Sequence, residues 1–374
     1  MWAVIPPSAD PRRRVTLTWF SVRAISGFAR APDAAWKVYH TWYDTESQMR
    51  NFEIAGVLST HLDVKNSPEA KGDEKPMALP ERGKVLGIDV GYAPTRRTTA
   101  FCVLSWDAHE MIWAFERTEQ DAERRVNALR NLLDRRAKVL AVAVDGPLRL
   151  GLRLDTRSYR ASEGLLSRGK CQRRGKPGPT NGGSGPQLHG EATALAGLAL
   201  KQVSVAQASH IPAIHEHAIV EAFPNLFLGV LCDETDYPRK PAKERKWTDS
   251  LYPLVKPKLE GLLRSLLPCR QPASSLDIGD HEEIAAFTCA LTALCVMARR
   301  FVGVGSQVDG FIILPPSDQW GKEEEDAGPW AEAVFRRNLD TVARKFPGAT
   351  IYKGWEGMVT RADLQGMRGN RCTH

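Results

Sequence analysis

Residues 84–91 read Lys-Val-Leu-Gly-Ile-Asp-Val-Gly, and the order of residue types in that stretch decides the fold. Val85, Leu86, Gly87 and Ile88 make an apolar run of strand length that ends by presenting one carboxylate, Asp89, at a glycine-flanked turn. Burying a lone carboxylate costs several kcal/mol unless a cation or hydrogen bonds meet it, so Asp89 needs a partner. Three other places offer acids in similar positions. VLAVAVDGP ends its apolar run at Asp145, AIVEAFP carries Glu221, and DIGDHEEIAAFTCALTAL sets Asp277, Asp280, Glu282 and Glu283 at the start of an apolar helix. Acids at several strand ends and one helix point to a converging metal site.

Working outward, TTAFCVLSW (98–106) and MIWAFER (111–117) follow the first strand, joined by Asp107, Ala108 and His109, a connection that suits a hairpin. Three consecutive strands predict an antiparallel meander. Between Glu119 and Arg136, Val126, Leu129, Leu132 and Leu133 share one helical face, and the strand VLAVAV then leads into Asp145. Leu188–Gln202 is helical in pattern and AIVEAF is a strand. The next, basic helical region contains Pro253 and Pro257, which are expected to break or kink it. Asp280–Arg300 is the clearest helix; DGFIILPP (309–316) reads as a further strand, and Pro329–Phe346 as an amphipathic helix. The fold class expected is α/β: a mixed sheet, meander plus parallel strands, flanked by helices.

The chain's 374 residues can bury a sizeable core, and no apolar run approaches the roughly 20 residues of a membrane span. The first residues, MWAVIPPSADPRRR, lack the long apolar region of a secretory signal, which makes the cytoplasm the expected location. Residues 1–80 differ from the rest and carry the linker-like NSPEAKGDEKP near their end, so they are expected to be an extension, either disordered or preceding a true start at Met77, or, given TWFSVRAI and AWKVYHTWY, small and structured. Residues 81–374 are then the domain, with a basic loop insertion at 149–187. Seven cysteines without a CxxC spacing argue for reduced thiols and against zinc. The net charge of +7 favours an anionic partner. Arg149, Arg168, Arg173 and Arg174 belong to a local basic excess and are candidate phosphate contacts, while Ser167–Pro186, rich in Gly and Pro, is expected to be a mobile loop.

GIDVG (87–91), VAVDGPL (142–148), VEAFP (220–224), the acid-rich lead into AAFTCALTA (285–293) and the late DGFIILP together resemble the predicted-nuclease family catalogued as domain of unknown function 429. The resemblance covers about residues 84–316 and implies an RNase H-like fold. It also implies that Asp89, Asp145 and Glu221 are the strand-end acids of a site. The family's usual Asp-Ala pair stands here as Ala285-Ala286, and the fourth role passes to Asp280 or Glu283.

Phosphodiester hydrolysis by two divalent cations needs carboxylate ligands brought together from different elements, which suits Mg2+ or Mn2+. Asp89 would bridge the cations, Asp145 and Glu221 would complete one side, and Asp280 or Glu283 would hold the other. Each residue also has a structural explanation. Asp89 and Asp145 sit at turns, Glu221 can pair with an arginine, and Asp280 with Glu283 forms a D-x-x-E capping box. The leading expectation is a magnesium-dependent nuclease acting on nucleic acid or another phosphoester. The alternatives are a catalytically silent nucleic-acid-binding or scaffold protein, and an ATP-using enzyme related to actin and the sugar kinases, whose first phosphate loop is similar to GIDVG.

Overall fold

A computed structural model of the chain describes residues 79–149, 159–207, 217–238, 247–323, 328–346, 348–354 and 357–359. The chain divides into two units, Met1–Asp73 and Glu74–His374. The first lies outside the described residues, as do the expectations for the N-terminal extension and Met77.

The meander forms as the apolar alternation dictates: β1 (Gly83–Asp89), β2 (Thr99–Trp106) and β3 (Glu110–Thr118) pair antiparallel in order. Asp107 closes the β2–β3 hairpin by accepting from the amides of His109 and Glu110. Helix α1 (Ala122–Leu132), N-capped by Asp121, and the short β4 (Lys138–Val139) lead to β5 (Val142–Asp145), which returns parallel to β1. Then come α2 (Ala161–Leu166), a 3-10 turn at Gly169–Arg173, α3 (Gly185–Gln202), β6 (Ser204–Val205), and β7 (Ile219–Ala222) parallel to β5. After β7 follow α4 (Pro224–Leu231), α5 (Trp247–Leu266), β8 (Gln271–Pro272), α6 (His281–Met297), β9 (Val302–Ser306) and β10 (Gly310–Leu314), and β10 lies parallel to β7. Helix α7 (Trp330–Val342), β11 (Thr350–Lys353) and β12 (Gly357–Val359) complete the order.

The main sheet runs β12-β11-β9-β10-β7-β5-β1-β2-β3-β8. It is mixed, as expected: a meander on one side, parallel strands β1, β5, β7 and β10 in the middle, and antiparallel β9, β11 and β12 beyond them, which the strand pattern did not suggest. The alternation of side chains separates two cores. Val85 and Ala143 face α4, α5 and α6, whereas Leu86, Ile88, Val142 and Val144 face α1 and α3. Among the described residues no helix is long and apolar enough to cross a membrane.

Two expectations are corrected. The expected break in α5 does not occur: the helix continues through Pro253 and Pro257, which lie four apart on the exposed face, where water can satisfy the carbonyls they leave without donors. Ser167–Pro186 is built rather than a mobile loop. Cys171, Arg174 and Thr180 are buried, and the Arg174 guanidinium lies 3.8 Å from the Trp330 ring centre and 4.1 Å from that of Tyr237. That guanidinium also pairs with Glu234 and donates to the carbonyls of Gly229 and Cys232. Two glycines of the stretch make close approaches: a Cβ would stand 2.6 Å from Asn225 at Gly175 and 2.1 Å from the Pro179 carbonyl oxygen at Gly185.

Candidate functional site

β1 and β5 end side by side, and their register sets Asp89 directly opposite Asp145. Residues paired in this way project from the same face of a sheet, and successive residues alternate. Asp89 follows Gly87 and Val85, and Asp145 follows Ala143, so both acids lie on the face covered by α6. The helix comes very close. A Cβ on Gly87 would stand 2.1 Å from the carbonyl oxygen of Ala286 and 2.2 Å from the amide nitrogen of Ala290, so only glycine at 87 lets α6 cross here.

The two carboxyl groups are neighbours that interact through their side chains. Both residues are half-buried. Burial of its carboxyl raises the pKa of Asp145 to about 7, and the bond from Asp89 opposes that rise. Cys289 of α6 lies within the field of the pair. Burial first, then the charges of Asp145 and Asp89, push its thiol well above the ordinary range, so it remains a neutral thiol.

Glu221 is placed differently. Asp145 pairs with Ala222 and Val144 with Glu221, so Glu221 projects from the opposite face of the sheet. There Arg160 grips it bidentately, at 2.7 Å and 2.9 Å, and the amides of Leu148 and Arg149 donate to Oε1 at 2.8 Å and 3.3 Å. Arg160 also donates through Nε to Glu163 and through Nη1 to the Asp309 carbonyl. Glu163 accepts from the amide and hydroxyl of Thr180, and Asp309 accepts from the Ala161 amide and the Ser306 hydroxyl. Arg160 and Glu221 are 2% and 3% exposed, which makes this a buried, hydrogen-bonded ion network.

Asp280 caps α6, accepting from the amides of Glu282 and Glu283 at 3.0 Å and 3.2 Å, and pairs with Arg117 of β3 at 2.6 Å. Arg117 also meets Glu282 at 3.5 Å. Burial and then the neighbouring Asp280 raise the pKa of Glu283. Of the five acids singled out from the sequence, the structure brings Asp89 and Asp145 together. Glu221 goes to Arg160, and Asp280 and Glu283 to the helix start beside Arg117. Among the described residues, no group of three or more His, Cys, Asp or Glu is placed to hold a metal ion.

The four arginines also separate. Arg149 donates to the Gln307 carbonyl, and burial lowers its pKa. Arg174 is the buried cation described above. Arg168 is half-buried with its Nε unpartnered among the described residues, and Arg173 is exposed.

Three further residues support the loops after the two aspartates. His189 Nδ1 lies 2.8 Å from the Pro147 carbonyl; Arg125 donates at 2.8 Å to the Gly91 carbonyl and at 2.8 Å to Glu191. No local spacing in the sequence marks them, because each acts on a turn far away in the chain. No family model, curated protein or solved structure matches this chain.

Proposed function

We propose that the chain hydrolyses phosphoester bonds, in nucleic acid or another phosphodiester, with a divalent cation held by Asp89 and Asp145. The observation that carries this reading is the pairing of two carboxyl groups, in register, at the C-terminal ends of adjacent parallel strands. Open α/β sheets bind their ligands at those strand ends. The donors also suit the ion. Both are hard carboxylate oxygens, and Mg2+ is held by one or two carboxylates while waters and substrate phosphate complete its shell. A cation there would lower the pKa of a water and offset charge on the phosphoryl oxygens. Asp145, whose pKa burial raises to about 7, must be ionised to hold it, so loading is favoured as pH rises. The exposed Arg173 offers a guanidinium to a phosphate backbone. The reading includes a cytoplasmic location, supported by six free thiols among the described residues, five of them buried.

A second reading is a nucleic-acid-binding protein without hydrolytic activity. It is favoured by Ala285 and Ala286, buried where the resembled family carries an acid, and by the engagement of Asp280 with Arg117.

The test is thermal unfolding with and without Mg2+ or Mn2+ at pH 8, together with phosphodiesterase assays. The cation should raise the melting temperature of the parent protein by mass action. Asp89→Asn should stay folded and lose both that response and the activity. A parent that shows the thermal response but no cleavage favours the second reading. A parent without any response, matched by Asp89→Asn, rejects the cation site.

A further inference from the structure

The turns that follow the two aspartates are tied down in the same way. Gly91 is two residues after Asp89, and Pro147 is two residues after Asp145. The carbonyl of each accepts a hydrogen bond that leads to the first turns of α3. Pro147 is reached directly by His189 Nδ1, at 2.8 Å. A carbonyl can only accept, so the proton of this bond lies on Nδ1. Gly91 is reached through Arg125, whose Nη2 donates to its carbonyl at 2.8 Å while Nη1 donates at 2.8 Å to Glu191. Gln120 donates to the other oxygen of Glu191. Thr99 Oγ1 donates to the Gly91 carbonyl as well, at 2.9 Å.

α3 also packs side chains against the backbone of the second turn. A Cβ on Gly146 would stand 2.8 Å from Ala192 Cβ, so the glycine lets the helix sit directly on the residue that follows Asp145. α3 thus contacts the chain just beyond Asp145 directly, through His189 and Ala192, and is linked to the chain just beyond Asp89 through Glu191 and Arg125.

We propose that α3 is a clasp that sets the separation of Asp89 and Asp145, with His189 and Glu191, the latter through Arg125, as positioning residues. The proposal rests on the reading of those two aspartates as the site. Arg125 supports it in a second way. It is 6% exposed, yet its Nε is buried without a partner among the described residues. Apolar residues of similar volume often stabilise a core as well as a buried ion pair does or better. An incompletely satisfied arginine kept at this point fits a residue that serves the geometry of a turn. Groups that orient metal ligands from behind change cation affinity by about 10- to 100-fold when removed.

The experiment compares the full chain with His189→Leu, His189→Asn, Glu191→Leu and Glu191→Gln, using Mn2+ as the probe. Mn2+ affinity is measured by titration, and amide hydrogen exchange is followed in metal-free protein. The two leucine variants should bind Mn2+ about tenfold more weakly. His189→Asn keeps a donor near the position of Nδ1 and should recover most of the parent affinity, and Glu191→Gln, which keeps one acceptor, should fall between. Exchange should quicken at Gly91, Gly146 and Leu148 in the leucine variants, with β1, β2 and α6 as protected as in the parent. Unchanged affinity in both leucine variants overturns the clasp. So does a loss in His189→Asn as large as in His189→Leu, which would assign the role to the ring. A parent that binds no Mn2+ rejects the cation site of the proposed function. The clasp is then decided by exchange alone: faster exchange confined to the two turns upholds it, and unchanged exchange overturns it.

Discussion

Asp145 and Glu221 sit on adjacent parallel strands, offset by a single register position, and have opposite surroundings. Glu221, opposite Val144, leaves its face of the sheet for Arg160, two amides and a network that reaches Glu163 and Asp309. Asp145, opposite Ala222 on one side and Asp89 on the other, meets another acid. An acid at a strand end therefore says little until its face is known. The parity of the register decides which groups it can meet: here a guanidinium that compensates one carboxylate, and for the other a second carboxyl at a position where burial raises the energy of charging it.

The largest effect expected from this contrast lies on the compensated side. Arg160→Met should cost about 3–5 kcal/mol, because it leaves Glu221 buried without its cation, and adding Glu221→Gln should recover part of the loss. Urea unfolding of the single and double variants measures it. A cost below about 1 kcal/mol would mean that solvent reaches Glu221 and that the two sites differ less than their geometry implies.

An intermediate effect of opposite sign is expected at Asp145. Its pKa is raised to about 7 in the folded chain, against about 4 when unfolded. Between those values the folded state binds more protons than the unfolded state, so stability falls as pH rises through the window, and the full cost is present above it. Asp145→Asn removes that cost. It should stabilise the metal-free protein on the order of 2 kcal/mol at pH 8, after allowance for the solvent that reaches the group, and by little at pH 4. Unfolding across that range checks it, and an equal gain at both pH values would place the cause outside the titration.

The smallest effect belongs to Asp280. Asp280→Ala should cost about 1 kcal/mol through loss of the cap, and Asp280→Asn only a few tenths. The ion pair with Arg117, whose partners are 29% and 33% exposed, adds little. Asp280→Asn should also leave any Mn2+ response of the parent unchanged. A lost response would return Asp280 to the metal ligands and weaken the contrast between a paired acid and a site acid.

The elements that could be read from the sequence are those whose signal is local. The apolar runs of β1, β2, β3 and β5, the hairpin at Asp107 and the long apolar helix α6 follow from periodicity and turn chemistry within a few residues. The mixed sheet follows from their order. The capping role of Asp280 was also legible, since D-x-x-E before an apolar run is itself a helix-start pattern. Arg174 shows the opposite case. Within a Gly- and Pro-rich basic stretch nothing marks it, yet Trp330 and Tyr237 bury it.

By itself, then, the sequence determined that this is an α/β chain with acids delivered to the ends of apolar strands. Which acids meet was decided only by tertiary structure. Asp89 and Asp145 are joined by strand register, Glu221 is turned away by a single-residue offset and bound by an arginine 61 positions distant, and Gly87 lets α6 close over the shared face. Periodicity records which side chains prefer burial, and it carries no information on how far one strand slides against the next. That offset is settled by the packing of elements remote in the chain, and it separates a buried ion pair from a candidate site.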